Sequence, residues 1–196
     1  MEKILWLDEN ILLWIQEHMR NDFLTPLFQK ITSLGDGGLI WIGITILLLC
    51  IPKMRKVGIM STEALLLSLL INNLWLKNWI DRIRPYEVID GLELITRRAM
   101  DPSFPSGHTA ASFSAGFLMW ICSREYQKTG RQEFYFPQVA GWLVLLLAVL
   151  IGFSRLYVGV HYPTDVLAGT LSGILISLAV FWCNKKRIDK NSLCSG

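Results

Sequence analysis

Long runs of hydrophobic residues, separated by short polar links, dominate the chain. Five of these runs approach the ~20 residues that an α-helix needs to cross a bilayer. The sequence therefore predicts an all-α polytopic membrane bundle with five to six membrane-spanning helices. The five predicted spans cover about residues 37–51, 57–80, 106–122, 137–153 and 163–183.

The first 34 residues follow a different pattern, in which apolar positions recur at helical spacing and charged residues interrupt them. This pattern is typical of an amphipathic helix that lies at the membrane interface, with a short sixth span as the alternative. We expect one domain over residues 1–196, with residues 1–34 as its interfacial segment. The recurring apolar residues are Ile4, Leu7, Ile11, Ile15 and Met19.

The composition agrees with extensive lipid contact. Hydrophobic residues make up 52% of the chain, and only 18% of the residues are charged, where about 25% is typical of soluble domains. The net charge of +3 comes from short basic clusters between apolar runs, which argues against a nucleic-acid partner. The four cysteines have no metal-binding spacing, so no metal or other cofactor is expected.

Lysine and arginine predict the orientation, because basic links favour the cytoplasmic side of a membrane. With five spans, the link at residues 52–56, the link after the third span and the C-terminal tail share one side. We therefore expect a protein of the cytoplasmic membrane with the loop at residues 81–105 outside. That outer loop nevertheless carries four arginines, which indicates a chemical purpose for them.

Three short segments bring ionisable residues to this outer face. Lys77 and Arg84 are seven residues apart, so both lie on one helical face if the second span continues until Pro85 ends it. The second segment, residues 105–108, opens the third span, where free backbone N–H groups attract anions. The third segment, residues 154–165, joins the last two spans.

These residue types suit phosphate chemistry. Lysine and arginine cations bind phosphate oxygens, and a neutral imidazole can attack phosphorus to form a phosphohistidine. We predict His161 as the nucleophile and Asp165, four residues later, as the carboxylate that orients it. His108 is then the general acid.

The three segments resemble the signature of the type 2 phosphatidic acid phosphatase (PAP2) superfamily. That signature is Lys-x6-Arg-Pro, then Pro-Ser-Gly-His, then Ser-Arg-x5-His-x3-Asp, and every position of it is matched between residues 77 and 165. The resemblance implies a helical membrane fold and a metal-independent phosphatase, similar to small bacterial members that act on undecaprenyl diphosphate or phosphatidylglycerol phosphate. It implies the catalytic roles given above for His161, Asp165 and His108. It also implies a phosphate site made by Lys77, Arg84, Ser106, Gly107, His108 and Arg155.

Several alternatives remain open at this stage. Arg97 and Arg98 either bind the second phosphate of a diphosphate or are exposed loop charges. Arg82 is interpreted as a side chain that extends to the lipid headgroups. Asp36 is interpreted as a cap or turn residue. Undecaprenyl diphosphate is the favoured substrate, phosphatidylglycerol phosphate and phosphatidic acid are rivals, and a non-catalytic lipid-phosphate binder or transporter is the competing class.

Overall fold

The computed structural model describes residues 2–194, with side chains for residues 3–190, and the regular elements in that part are all helical. This confirms the predicted all-α class. A π-helical segment (Leu69–Leu76) joins α4 to α5, and short 3-10 turns lie at Asp36–Gly38 and Gln132–Phe134. The α-helices are α1 (Glu2–Met19), α2 (Leu24–Leu34), α3 (Leu39–Cys50), α4 (Arg55–Ser68), α5 (Lys77–Ile80), α6 (Pro85–Val88), α7 (Gly107–Thr129), α8 (Gln138–Tyr157) and α9 (Pro163–Cys194).

Helix α7 lies at the centre of the bundle and packs against α4, α8 and α9. Two glycines let α9 come close to it. A Cβ atom at Gly169 would lie 2.7 Å from the carbonyl oxygen of Ser106, and one at Gly173 would lie 2.7 Å from that of Ala110. Small residues at this interface therefore set the distance between the two helices that carry His108 and Asp165.

Length and composition alone identify fewer membrane spans than the predicted five to six, so the exact number of spans stays a prediction. In the described part of the chain, three helical segments are long and apolar enough to cross a bilayer: Arg55–Val88, Gln132–Tyr157 and Pro163–Lys190. A fourth span is possible if α2 and the segment Asp36–Cys50, bent by 49°, act together. Helix α7, the predicted third span, is not among them. Neighbouring helices surround α7, so it needs small, closely packing residues more than a lipid-facing surface.

The N-terminal segment forms two helices, and only part of the periodic apolar set of α1 faces the protein. Ile4 and Leu7 are about half exposed, whereas Asp8 and Leu12 are each only 1% exposed. The periodicity correctly indicated a helix, but a carboxylate lies on the side that faces the protein. The interfacial position of this segment stays a prediction.

Basic residues gather at the end of the bundle opposite the signature segments. Helix α7 begins at residue 107 in the second signature segment and runs for 23 residues, or roughly 35 Å at 1.5 Å per residue. Around its far end, the predicted cytoplasmic links meet through ion pairs. These are Lys56–Glu133 at 3.7 Å, Lys185–Glu125 at 2.6 Å and Arg131–Asp189 at 2.5 Å.

Candidate active site

The first signature segment is broken rather than continuous. The π-helical turn at Leu69–Leu76 precedes α5, which ends at Ile80, and Asp81 follows in a left-handed conformation with φ of 46°. Arg84 is extended, and Pro85 is the first residue of α6. The helix ends at Ile80, as the bounds of the second predicted span had it, and it does not continue to Pro85. The condition for Lys77 and Arg84 to share one helical face is therefore not met. A proline disfavours helical geometry in the residue before it and fits well at a helix start.

Lys77 and Arg84 nevertheless meet, because both hold the Asp101 side chain. The ammonium of Lys77 pairs with the Asp101 carboxylate, and Arg84 Nη2 donates to Asp101 Oδ1 at 2.8 Å. The two cations are buried, whereas the carboxylate is about half exposed. Burial alone would raise the pKa of Asp101, but the hydrogen bond and charge of Lys77, with the charge of Arg84, lower it to about 2. The pair therefore holds an oxyanion.

Arg155, near the end of α8, supplies a third buried cation. Its Nη1 donates to Thr32 Oγ1 at 2.5 Å. Its Nε has no hydrogen-bond partner within the described residues. The charge of Arg155 acts on Lys77, His108 and His161. A buried arginine donor without a partner is costly, and a bound anion would satisfy it.

His161 lies in the link between α8 and α9 and is 1% exposed. Its Nδ1 is 3.5 Å from Asp165 Oδ2, and its Nε2 accepts from Arg84 Nη1 at 3.4 Å. Burial lowers the pKa of His161 to about 3, the charges of Arg155 and Arg84 act in the same direction, and Asp165 opposes them. The ring is therefore neutral near pH 7, and these partners favour the tautomer with the proton on Nδ1. The Nε2 lone pair then faces the cations, as a nucleophile for phosphate requires.

The second signature segment forms the N-terminus of α7, as predicted. Ser106 is the N-cap, and its Oγ accepts from the backbone N–H of Thr109 at 3.4 Å. A Cβ atom at Gly107 would lie 2.8 Å from Asn73 Oδ1, so a larger residue would displace this helix start from the π-helical segment. The free N–H groups of the first turn are thereby held at the polar end of the bundle.

His108 contacts a residue that sequence analysis assigned to a turn. Asp36 does lie in a 3-10 turn, and its Oδ1 is also 2.9 Å from His108 Nε2. Burial and the charge of Arg155 favour the neutral imidazole of His108, and the Asp36 carboxylate opposes them by favouring the protonated form. The contact joins positions 72 residues apart, so local sequence patterns give no indication of it.

Arg82 and Asp8 are the site residues that sequence analysis missed. Arg82 Nη1 donates to Asp165 Oδ1 at 2.6 Å, and its Nη2 donates to Asp8 Oδ2 at 2.9 Å. Ser103 Oγ donates to Asp165 Oδ2 at 2.5 Å. The interpretation of Arg82 as a side chain that extends to headgroups is therefore wrong. The available signal was an aspartate within an apolar helix, which is rare without a partner.

Arg97 and Arg98 are both exposed. The guanidinium of Arg98 lies over the Tyr86 ring, 5.5 Å from its centre. Cation–π stacking of this kind is common at protein surfaces. Their assignment to a second phosphate stays a prediction.

A cavity of about 540 Å³ joins the polar site to the apolar part of the bundle. Lys77 and His108 line one part of it, and Ile46 and Leu65, from α3 and α4, line another. The volume is in the range of small-molecule sites. The cavity can therefore hold a molecule with a charged head and an apolar chain.

The sequence profile described as the PAP2 superfamily matches residues 59–189, which is more than half of the chain. The chain belongs to this superfamily. It is 40% identical over 103 residues to the bacitracin transport permease protein BcrC of Bacillus licheniformis, covering 53% of this chain and 44% of that protein. It is 30% identical over 139 residues to an undecaprenyl-diphosphatase of Sulfolobus acidocaldarius, and the match covers 70% of this chain and 60% of that protein. It is 31% identical over 180 residues to phosphatidylglycerophosphatase B of Bacillus subtilis, and the match covers 89% of this chain and 74% of that protein. The chain thus spans about half the length of the first two relatives.

Two solved structures share the fold. The transmembrane PAP2 type phosphatidylglycerolphosphate phosphatase of Bacillus subtilis superposes with a TM-score of 0.74 at 24% identity, covering 95% of this chain and 88% of that one. LpxE of Aquifex aeolicus superposes with a TM-score of 0.63 at 25% identity, and the superposition covers 90% of this chain and 93% of that one. Both comparisons support the helical membrane architecture.

Proposed function

We propose that this protein is a membrane lipid phosphatase that works through a phosphohistidine on His161, without a metal ion, and that its leading substrate is undecaprenyl diphosphate. One observation carries the proposal. Three buried cations from separate segments, Lys77, Arg84 and Arg155, lie close enough to act on one another electrostatically. Arg84 and Arg155 also act on the neutral, buried imidazole of His161, and Lys77 lines an apolar cavity.

The cations bind the phosphoryl group that is transferred. Its charge is spread over three oxygens in the transition state, so fixed donors placed before the reaction are the main source of catalysis. Arg84 already holds the Asp101 carboxylate through Nη2, and its Nε donates to the backbone carbonyl of the same residue. A phosphate can take the place of the carboxylate. The helix start at Ser106, Gly107 and His108 adds backbone N–H donors.

In the first step, the Nε2 lone pair of His161 attacks phosphorus, and the bond from phosphorus to the leaving lipid oxygen breaks. Protonated His108 donates its proton to that oxygen. Asp36, at 2.9 Å, favours the protonated form against the effects of burial and of Arg155. Asp165 accepts the Nδ1 proton in a hydrogen bond as positive charge develops on the ring.

In the second step, water attacks the phosphohistidine and passes a proton to His108. The bond from phosphorus to Nε2 breaks, and inorganic phosphate leaves. His161 recovers its lone pair and His108 its proton, so the cycle closes without a metal ion or other cofactor.

The apolar cavity supports a lipid substrate. It extends from Lys77 and His108 to side chains of α3 and α4, so a chain can lie between these helices while the head lies among the cations. The basic residues at the far end of α7 support a site on the extracytoplasmic side of the cytoplasmic membrane.

The substrate ranking rests on the relatives and on the outer loop. The Sulfolobus acidocaldarius relative is named an undecaprenyl-diphosphatase, and Arg97 and Arg98 are available for a second phosphate. Phosphatidylglycerol phosphate is the rival, because the Bacillus subtilis relative named phosphatidylglycerophosphatase B covers 89% of this chain. Phosphatidic acid is the third candidate.

A non-catalytic lipid-phosphate binder or transporter is the second candidate function. The observation that favours it is the name of the Bacillus licheniformis relative, a transport permease. The intact pair His161 and Asp165 favours catalysis, since binding alone does not require a buried nucleophile.

Phosphate release by purified protein in detergent, with EDTA present, tests the proposal. We expect the wild type to release phosphate from undecaprenyl diphosphate faster than from phosphatidylglycerol phosphate or phosphatidic acid. His161→Ala should lower the rate at least ~1000-fold, the scale for removing a nucleophile. His18→Ala is the matched control, because His18 is an exposed histidine on α1. A wild type that binds these lipids but releases no phosphate would support the binder instead.

A further inference from the structure

We propose that Asp8 and Arg82 are positioning residues for the His161–Asp165 pair, so that the N-terminal helix α1 is a working part of the active site. This inference rests on the proposed function and extends it. It assigns a role to residues outside the three signature segments.

Arg82 holds one oxygen of Asp165, while the other oxygen, which faces His161, is held by Ser103 and by the backbone N–H of Tyr162. Its Nη1 donates to Asp165 Oδ1 at 2.6 Å. The other oxygen, Oδ2, lies 3.5 Å from His161 Nδ1 and accepts from Ser103 Oγ at 2.5 Å. With donors on both oxygens, the carboxylate plane cannot rotate freely. The imidazole therefore meets an acceptor of fixed direction.

Asp8 in turn fixes Arg82. Asp8 Oδ2 accepts from Arg82 Nη2 at 2.9 Å, and the Arg82 guanidinium lies 3.7 Å from the centre of the Tyr162 ring. A planar guanidinium that is stacked on one face and bridges two carboxylates has one orientation. A chain of contacts thus runs from Asp8 through Arg82 and Asp165 to His161.

Asp8 also acts on Asp165 by a second route, through helix α9, which carries Asp165. Asp8 Oδ1 accepts from the backbone N–H of Thr164 at 3.0 Å, and Oδ2 accepts from Thr164 Oγ1 at 2.5 Å. The N–H groups in the first turn of a helix have no partner within the helix. Asp8 therefore caps α9 from another helix, one residue before Asp165.

The cost of burying Asp8 argues that this arrangement has a purpose. Its side chain is only 1% exposed on a helix whose neighbouring side chains are mostly exposed and apolar. A buried carboxylate is unfavourable unless it is paired and hydrogen-bonded. A merely structural attachment of α1 could use leucine or isoleucine, as Leu12 and Ile15 show on the same face.

Steady-state and single-turnover kinetics with undecaprenyl diphosphate, in detergent with EDTA, test this inference. We expect Asp8→Asn and Arg82→Gln each to lower kcat on the order of 10-fold, a scale seen for residues that orient active-site groups. KM should stay within about twofold, because the phosphate-binding cations remain. The rate of phosphohistidine formation should fall by the same factor as kcat. The double variant should be no slower than Arg82→Gln, since the two residues act in one chain.

Glu9→Gln is the matched control, because it makes the same kind of change at an exposed position of α1. Arg82→Lys keeps the charge and one hydrogen bond, so it should recover part of the kcat lost in Arg82→Gln and should fold even where Asp8→Asn does not. If Asp8→Asn and Arg82→Gln had the same kcat as Glu9→Gln, this inference would be overturned and the proposed function would stand. The same would follow if Arg82→Lys had the wild-type kcat. An inactive wild type would instead overturn the proposed function.

Discussion

The two ends of the bundle use the same basic residue types in opposite ways. At the signature end, Lys77, Arg84 and Arg155 are each no more than 5% exposed. At the far end, Lys56 is 59% exposed and Arg131 is 27% exposed. The first group has been withdrawn from water, whereas the second keeps much of its contact with it.

This difference separates the charges proposed to act in catalysis from the charges predicted to orient the protein in the membrane. A buried cation loses hydration, and its interaction with an anion is strong because the surroundings screen it little. An exposed ion pair is screened and contributes little to stability, yet its cations still favour the cytoplasmic side of the membrane. Burial, and not the number of basic residues, thus distinguishes the end that we propose to bind phosphate.

The contrast between the two ends requires that they lie on opposite sides of the membrane. In a variant with all four cysteines replaced by alanine, Met100→Cys should react with a membrane-impermeant maleimide on intact cells, because Met100 is 99% exposed near the site. Lys128→Cys, at the exposed far end of α7, should react only after lysis. The reverse pattern would place the active site in the cytoplasm.

The next largest effect should follow from removing one buried cation. Arg155→Gln should lower kcat/KM at least ~100-fold, the scale for one donor to a developing charge. Arg131→Gln, the same substitution at the far end, should stay within about twofold of the wild type, which phosphate-release kinetics can measure. Equal losses in both variants would mean that burial does not separate the two groups.

The smallest effect should come from the carboxylate held by the buried cations. Asp101→Asn should strengthen inhibition by inorganic phosphate roughly threefold, because a half-exposed ion pair is worth at most ~1 kcal/mol. The pKa of Asp101 is lowered from 3.8 to about 2. Its charged form therefore competes with phosphate at all pH values above its ordinary pKa, and loses this effect only as the pH falls through about 2.

Asp90→Asn, at an exposed position of the same loop, is the control for this measurement. The phosphate inhibition constant should stay at the wild-type value there. Unchanged or weaker inhibition in Asp101→Asn would show that the carboxylate does not compete for Lys77 and Arg84.

The sequence was sufficient for the helical membrane class and for naming the residues that meet at the candidate phosphate site. Apolar runs of membrane-spanning length leave few alternatives to helices. Phosphate chemistry requires cations, a nucleophile and an acid, and only a few residue types can supply them. Lys77, Arg84, Arg155, His161 and Asp165 could therefore be named in advance. Their catalytic roles stay predictions until the variants are measured.

Only the tertiary structure decided how these residues are held. The break at Asp81, the bend between α2 and α3, and the central position of α7 depend on packing between helices. The contacts of Asp36 with His108, and of Asp8 with Thr164, join positions 72 and 156 residues apart. Local periodicity reports which face of a helix is apolar, but it does not report which distant donor meets a buried carboxylate. For this reason the sequence determined which groups can perform the chemistry, and the packing of the helices determined which groups orient them.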